Sequence, residues 1–261
     1  MASRNLVYRA LALRARESPR GDRILCLMTA EEGLQDVFVF GGPKSKLRSL
    51  AAPYSAGRAF VYRDPVKEYC KLGDFEVLEP FSGLRECLRK IWAAGLVAEF
   101  LQKTSGGGGD FPLVLDLSLD ALRGLEALPE EKADYPILLY LWRMLGLLGL
   151  GPDTASCASC GADLEPRTAQ TYSPQASGFL CPACARAESS RELGWHESGD
   201  LGISAGARRW LDRAAELPFS EALRAGLDAS SLDGLKSMMF HLAKKAAEGP
   251  LATLQSGVGI L

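Results

Sequence analysis

The sequence predicts an α+β protein in which a small antiparallel β-barrel precedes a helical domain that carries a cysteine-rich insertion. Three observations predict this class: five short runs rich in Val, Phe and Tyr near the N-terminus, helical spacing of apolar residues after Glu79-Pro80, and two Cys-x-x-Cys pairs. The apolar fraction of 47% with 24% charged residues is that of a globular protein with a buried core.

The N-terminal runs predict five strands with turn residues between them. They cover residues 6–14, 24–29, 34–40, 58–63 and 69–78. No helical pattern lies between them, so the strands are expected to be antiparallel, and closing the sheet removes its edges. An OB-fold over residues 1–80 is the simplest architecture for these strands.

The rest of the chain predicts a helical domain over residues 81–153 and 200–261, with an insertion at 154–199. One helix covers residues 84–96 with Ser82 as its N-cap, a second follows Pro112, and a third begins at Pro136. The third is apolar on nearly all sides, so a central position is expected. Residues 204–216 and 232–248 predict further helices.

A run of glycines at residues 106–109 allows two interpretations. Glycine-rich backbone can bind phosphate, but this run lacks a preceding strand and the Gly-Lys-Ser/Thr ending of a phosphate loop. A plain flexible loop is therefore expected.

Two cysteine pairs carry the most specific motif in the sequence. Cys157, Cys160, Cys181 and Cys184 form C-x2-C-x20-C-x2-C, the spacing of a zinc ribbon. Four thiolates leave no position for water or substrate, so one structural Zn²⁺ per chain is predicted. Buried or redox-active cysteines are the alternative, which two such pairs without a βαβ pattern disfavour.

The remaining cysteines and histidines predict no catalytic site. Cys26, Cys70 and Cys87 fall in strand or helix patterns and are expected in the core. His196 and His241 are isolated from any recognisable nucleophile or acid. The protein is therefore predicted not to be an enzyme.

The charge is unevenly divided along the chain. The net charge is −2, but residues 1–72 hold 13 Lys and Arg against 7 Asp and Glu, a local +6, which leaves −8 for the remainder. A basic module predicts a nucleic-acid partner, although each cation alone can be an ordinary surface charge. The predicted nucleic-acid contacts, which the resemblance described below implies are to DNA, are Arg14, Arg16, Arg20, Arg23, Lys44, Lys46 and Arg48.

Aromatic residues of the predicted barrel can either stack on bases or fill the core. Alternation along a strand sends only half of the side chains outward, and a small barrel needs many of them inside. The aromatic residues considered are Tyr8, Phe38, Phe40, Tyr54 and Tyr62.

No membrane segment is expected. The sequence has no run of about 18 apolar residues, and four arginines interrupt the first sixteen positions. A cytoplasmic protein is predicted.

Several local patterns resemble a known bacterial family. Residues 14–33 are similar to a pattern of Glu-x-Asp-Arg followed by Thr and Gly, with extra residues around Pro19-Arg20-Gly21. Residues 42–55 are similar to a basic loop after the third strand, and residues 79–85 to the entry of a helical domain. With the order of the domains, these patterns resemble the recombination-mediator family RecO over almost the whole chain. The loop at 41–43 is less basic than the family's.

The resemblance implies an OB-fold, a helical domain and a zinc site. It also implies binding of single- and double-stranded DNA, annealing of complementary strands, and loading of RecA onto strands covered by single-strand DNA-binding protein (SSB). The implied partners are RecR, in many bacteria RecF, and the acidic C-terminal tail of SSB. The cations considered for the tail carboxylate are Arg85, Arg89, Lys90 and Arg143.

Two other classes of function remain open at this point. A scaffold in a transcription or RNA-processing assembly can use the same barrel and ribbon without annealing DNA. A metal-dependent hydrolase requires an open zinc position, which four thiolates disfavour.

Overall fold

The computed structural model describes residues 4–18, 22–41, 45–64, 66, 69–166, 168–189 and 201–256. The chain divides into two compact units, one of Met1–Pro136 with Leu251–Leu261 and the other of Ile137–Pro250. The domain boundaries expected from the sequence stay a prediction.

The secondary structure follows the order that the sequence predicts, strands first and helices after. The strands are β1 (Asn5–Glu17), β2 (Arg23–Thr29), β3 (Gly33–Val39), β4 (Ala56–Asp64), β5 (Tyr69–Glu79), β6 (Gln170–Ser173), β7 (Gly178–Leu180) and β8 (Leu201–Ile203). The helices are α1 (Lys46–Leu50), α2 (Leu88–Lys103), α3 (Phe111–Ala127), α4 (Asp134–Leu147), α5 (Pro182–Ser189), α6 (Ala205–Glu216), α7 (Phe219–Ala222), α8 (Ala229–Ala246) and α9 (Ala252–Ser256).

The first five strands close into a barrel in the order β1-β2-β3-β5-β4, which confirms the predicted fold class. The expectation that every pair is antiparallel is wrong at one place, because β3 and β5 pair in parallel through Phe38 and Lys71. The number of strands explains this. When five strands close a ring and four of the pairs are antiparallel, the fifth pair must run in parallel.

The interior of the barrel is filled by alternate side chains of its strands. A bulge between Ala12 and Arg14 resets this alternation in β1, so that Arg14 and Arg16 lie on the outer face. The buried core residues are Tyr8, Ala10, Ala12, Leu25, Leu27, Val37, Val39, Ala51, Ala59, Val61, Leu72 and Phe75.

The start of α2 differs from the prediction. Ser82 was expected to cap it, but Ser82–Glu86 is a 3-10 helix that follows Phe81 in a left-handed conformation. Cys87 caps α2 instead, because its sulfur accepts a hydrogen bond from the Lys90 N–H at 3.5 Å. Helix α3 begins as predicted, with Pro112 in its first turn and the Asp110 carboxylate accepting from the Leu113 N–H at 3.1 Å.

The glycine run at 106–109 ends helix α2. The Gly106 N–H donates to the Leu101 carbonyl oxygen at 2.8 Å, and a Cβ at Gly106, whose φ is +73°, would lie 3.2 Å from the Leu34 side chain. Left-handed backbone next to a packed side chain requires glycine, which explains this residue without a phosphate ligand.

The second unit contains a three-stranded antiparallel sheet in the order β7-β6-β8, together with helices α5 to α8 and most of α4. Leu138, Tyr140 and Leu141 of α4 are all buried, as expected from its apolar sequence. Ser204 caps α6 and Asp228 caps α8, each through its side-chain oxygen.

Cys26, Cys70 and Cys87 are half-buried and not fully in the core as predicted. Cys26 lies opposite Arg14 on one side and Asp36 on the other, on the outer face of the barrel. Burial, with the nearby Asp36 charge, raises the pKa of its thiol to about 11, so it is not a reactive thiolate.

Within the part of the chain that the structure describes, no helix combines the length and apolar character needed to cross a membrane.

Candidate metal centre and nucleic-acid interface

The first cysteine pair lies on a tight turn. The Cys157 N–H donates to the Ala162 carbonyl oxygen at 2.8 Å, and the Gly161 N–H donates to the Cys157 carbonyl oxygen at 2.9 Å. Gly161 has a φ of +74°, which suits glycine directly after the second ligand position. The turn therefore brings the sulfurs of Cys157 and Cys160 to one side.

The second pair lies where β7 passes into α5. Cys181 follows the strand and Cys184 lies in the first turn of the helix. The Cys184 N–H donates to the Cys181 sulfur at 3.5 Å, and the Cys181 N–H donates to the Cys157 sulfur at 3.2 Å. These bonds join the two turns to each other and orient their sulfurs inward.

The four sulfurs form one cluster. All four Sγ atoms lie within 4.8 Å of one another, and those of Cys160 and Cys181 are 3.8 Å apart. A disulfide needs about 2.05 Å between its sulfurs. Zinc bound tetrahedrally at about 2.3 Å from each sulfur separates the sulfurs by about 3.8 Å. The cluster therefore has the geometry to hold a metal ion.

The electrostatics of the cluster also call for a cation. Burial raises the pKa of Cys157, but hydrogen bonds from the backbone N–H groups of Cys181, Cys160 and Ser159 outweigh it and lower that pKa to about 6. At Cys184 the Ser159 contact lowers the pKa, whereas the sulfurs of Cys160 and Cys181 raise it to about 12. Four thiolates cannot ionise together unless a cation compensates their charge.

A small apolar core supports the cluster. Tyr172 and Phe179 are fully buried and meet edge to face with ring centroids 5.8 Å apart, and His241 packs on Tyr172 with centroids 6.2 Å apart. Gly178 lets β7 approach the first turn, because a Cβ there would lie 2.6 Å from the Ala158 side chain. His241 thus belongs to this core and not to the sulfur cluster.

The predicted DNA contacts lie in different environments. Arg14 and Arg16 are exposed on the outer face of the barrel and, with Gln102 among others, line a groove of about 450 Å³. Arg16 donates to the Asp36 carboxylate at 2.7 Å. Lys46 is exposed on α1. Arg20 and Lys44 lie outside the described residues.

Arg23 has a structural contact that the sequence did not predict. Its guanidinium donates to the carbonyl oxygens of Arg48 at 3.2 Å and Ala51 at 3.4 Å, so it binds the C-terminal end of α1 to the barrel. Burial, and then the charge of Arg48, lowers the pKa of Arg23.

The aromatic residues considered for stacking separate into two groups. Tyr8 is in the barrel core, where burial and the Glu32 charge raise its pKa to about 12, and the Arg63 guanidinium donates to its hydroxyl at 2.9 Å. Tyr54 is half-buried, with its hydroxyl oxygen 3.6 Å from a Cβ position at Gly95 of α2. The aromatic residues left on the outer side are Phe38, Phe40 and Tyr62.

Two residues that sequence reasoning missed join Phe38 and Phe40. The rings of Phe38 and Phe40 are 6.1 Å apart between centroids and inclined by 15°, and Tyr69 meets Phe38 edge-on at 5.7 Å. The Lys71 Nζ lies 5.4 Å from the centroid of the Phe40 ring. In the sequence, aromatic and basic residues alternate at the start of the fifth strand. This alternation does not show that β5 lies beside β3, because that pairing arises only when the barrel closes.

The cations considered for an acidic tail are engaged within the chain. Arg89 pairs with Asp134 at 2.7 Å, and Lys90 donates to the Glu126 carbonyl oxygen at 3.2 Å. The other two bind backbone oxygens: Arg85 those of Pro53 and Pro80, and Arg143 those of Ala214 and Leu217. None of the four presents an unengaged guanidinium or ammonium group.

Comparison with known proteins decides the family. The family model described as "Recombination protein O C terminal" matches residues 85–231, which is more than half of the 261-residue chain. The chain belongs to the RecO family. This confirms the resemblance.

Relatives that carry the name DNA repair protein RecO are similar to the chain over most of its length. One from Desulforudis audaxviator (strain MP104C) is 33% identical over 177 residues, 67% of this chain and 68% of the relative. One from Rubrobacter xylanophilus (strain DSM 9941) is 31% identical over 220 residues, 82% of each chain. One from Desulforamulus reducens is 25% identical over 223 residues, 84% of each chain.

Proposed function

We propose that this protein is a recombination mediator that works without catalysis. It binds single- and double-stranded DNA, anneals complementary strands, and helps to load RecA onto DNA covered by SSB in the cytoplasm, at the nucleoid. Membership of the RecO family is the observation that carries this proposal. RecR, and RecF in bacteria that have it, are its expected partners.

Electrostatics provides a mechanism for annealing. Two complementary strands repel each other through their phosphates, and a surface that neutralises phosphates lowers this repulsion while releasing condensed counterions. Arg14 and Lys46 are exposed, and neither has an ion-pair partner among the described residues. Their charge is therefore available to phosphates, and no bond has to be broken for the reaction to proceed.

We infer that the metal held by the four cysteines is zinc and that its role is structural. The sulfur separation, the all-thiolate donors and the two turns support zinc over harder cations, which prefer oxygen ligands. The closed set of four ligands gives the ion no open position for substrate. When bound, zinc would stabilise the cysteine turns by neutralising their thiolates.

The acidic tail of SSB requires a cation in the helical part of the chain. Because the four cations considered first are engaged, we propose Arg209 and Arg213, which are exposed one turn apart on α6 and have no ion-pair partner among the described residues. With Trp210 and Leu227, among others, they line a pocket of about 250 Å³. Two cations beside apolar side chains match an acidic peptide with an apolar end, although the Asp228 carboxylate also lines the pocket.

A tail peptide tests this assignment. A peptide with the acidic C-terminal sequence of SSB should bind with a Kd in the micromolar range or below, about −8 kcal/mol. The double substitution Arg209→Glu and Arg213→Glu should abolish binding, whereas Arg224→Glu, at an exposed position outside the pocket, should not. Full binding by the double variant at low salt would refute the pocket.

Strand annealing tests the proposed function itself. The rate of pairing of complementary strands should rise when the protein is added, both for bare strands and for strands coated with the cognate SSB. An unchanged rate in both conditions, with folded and zinc-loaded protein, would contradict the proposal and favour a scaffold role.

A further inference from the structure

The outer wall of the barrel carries a cluster of aromatic side chains that the fold does not need for its core. We call Phe38, Phe40 and Tyr69, together with Lys71, the aromatic platform. Phe38 lies in β3 and Phe40 directly follows this strand; because they are two residues apart, both point to the outer side, while Val37 and Val39 fill the barrel interior. Tyr69 and Lys71 are likewise two residues apart on the adjacent β5.

The platform leaves aromatic side chains on the outer surface of the barrel. Phe40 is 41% exposed, and it stands beside the half-buried ring of Phe38 with the two ring planes inclined by only 15°. Single exposed apolar residues are common on soluble proteins, whereas an exposed ring in contact with further rings and a cation is a candidate binding surface.

Cations flank the platform along one row of the barrel. The strand register aligns Arg16 with Ile24, Ile24 with Phe38, and Phe38 with Lys71. The Lys71 ammonium stands over Phe40 at 5.4 Å from the ring centroid, a cation–π contact. Two acidic groups lie beside the platform among the described residues: Asp36, which pairs with Arg16 at 2.7 Å, and Asp64, which lies opposite Tyr69 in the strand register. A ligand for this surface is therefore expected to combine flat aromatic groups with negative charge.

We propose that the aromatic platform stacks unpaired bases of single-stranded DNA, with Lys71 contacting the adjoining phosphates. The inference rests on the proposed DNA binding and names the residues that distinguish one DNA form from the other. Bases inside a duplex have both faces covered by their neighbours, so only unpaired bases can stack on protein rings. The Lys71 charge acts on both forms, because phosphate contacts are independent of pairing.

In this proposal the Lys71 ammonium lies over Phe40 in the free protein and contacts a phosphate in the DNA complex. Its ammonium occupies the face of Phe40 on which a base would lie, and its flexible stem lets that ammonium move aside to a phosphate. Base stacking then replaces the cation–π contact, and the lysine charge is retained in the complex.

Affinity measurements on two DNA forms test the platform. Phe40→Ala should weaken binding of a single-stranded oligothymidylate by about fivefold or more, since removal of a stacking ring costs about 1 to 3 kcal/mol per base. Binding of a duplex of equal length should change by less than about twofold, and the slope of log affinity against log salt should stay the same. Phe40→Trp should restore single-strand binding.

A second exposed phenylalanine on the same barrel provides the matched control. Phe60 is 38% exposed on β4, but it lies opposite Asp74 and outside the platform, so Phe60→Ala should leave both affinities unchanged. Lys71→Gln should weaken both DNA forms and flatten the single-strand salt slope by about 0.7.

The experiment distinguishes an error in the aromatic platform from an error in the proposed DNA binding. If the unmodified protein binds DNA but Phe40→Ala leaves single-strand affinity unchanged, or weakens both DNA forms equally, the platform is wrong and the proposed DNA binding stands. If the unmodified protein binds neither form, the proposed function fails and the platform fails with it. Circular dichroism melting of each variant checks that the barrel is intact.

Discussion

The N-terminal barrel and the four-cysteine module, residues 154–189 with β8, are both small β-structures, but they are stabilised in different ways. The barrel strands are 7 to 13 residues long, close on themselves, and enclose a buried apolar core. The strands of the module are 3 or 4 residues long and form an open sheet. A short open sheet buries too little apolar surface to be stable alone.

This difference indicates where each region obtains its free energy of folding. The barrel depends on packed side chains such as Phe75 and Leu72, which are fully buried. In the module, four sulfurs form one cluster, and Tyr172 and Phe179 form a small buried aromatic pair. The barrel is therefore expected to fold without metal, and the module to depend on it.

The largest expected effect is loss of the metal. Cys157→Ser with Cys184→Ser should remove bound zinc, and with it a binding free energy that in zinc-finger peptides is about 10 to 16 kcal/mol. Amide hydrogen exchange should accelerate over residues 154–189, while strands β1 to β5 keep their protection. Cys26→Ser, on the barrel, is the control and should retain one zinc per chain. Stoichiometric zinc in the double variant would show that the ligands are wrongly assigned.

The next largest effect should come from the barrel core. Phe75 is 1% exposed, and Phe75→Ala should lower the free energy of unfolding of the barrel by about 3 to 5 kcal/mol, because it removes a ring and leaves a cavity. Denaturant unfolding measures this loss, and elemental analysis should still find zinc at its full stoichiometry. Loss of zinc from this variant would mean that the two regions do not fold independently.

A smaller effect is expected on DNA binding when the basic part of the barrel is reversed in charge. Lys44→Glu, Lys46→Glu and Arg48→Glu together should weaken single- and double-stranded DNA alike, and should flatten the salt slope by about 0.7 to 0.9 per lost contact. Fluorescence anisotropy over a range of salt concentrations measures both quantities.

The matched control reverses three exposed cations in helical parts of the chain, Lys132, Arg224 and Lys244. Arg208 of α6 is not used in this control, because its side chain is structural. It is 4% exposed and forms hydrogen bonds to Asp212 and to the Thr154 carbonyl oxygen. Equal losses from both triple variants would mean that DNA contacts extend well beyond the barrel.

The smallest expected effect concerns Glu99, which holds the last helix against α2. Its carboxylate accepts from the N–H groups of Ala252 at 2.6 Å and Thr253 at 2.8 Å. Burial raises the pKa of Glu99, but the hydrogen bonds from Thr253 and Ala252 outweigh it and lower that pKa. A lowered pKa stabilises the fold above the unfolded value of about 4.3, and this stability is lost as the pH falls through the folded value.

Melting temperature against pH measures the Glu99 contribution. Between pH 7 and pH 3 the protein should lose more stability than its Glu99→Gln variant, by up to about 1 kcal/mol because the group is partly exposed to solvent. Glu130→Gln, at an exposed position, should follow the unmodified protein. If the curves of the unmodified protein and of Glu99→Gln were parallel, the ionised Glu99 carboxylate would contribute nothing to the stability of the fold.

The sequence by itself determined the features that local patterns encode. The strand predicted at residues 34–40 is Gly33–Val39, and the one predicted at 69–78 is Tyr69–Glu79, because alternation of apolar residues reports one buried face. The four cysteines could be identified as one cluster because two-residue spacing places both sulfurs of a pair on one side of a turn.

Tertiary structure decided everything that depends on which distant groups meet. Strand patterns do not state that β3 closes against β5, so the contact of Lys71 with Phe40 could not be read from them. Likewise, a basic residue has the same appearance in a sequence whether its guanidinium meets solvent or a carbonyl oxygen. Arg23 and Arg143 bind backbone oxygens, and only the folded chain brings those oxygens within reach of them.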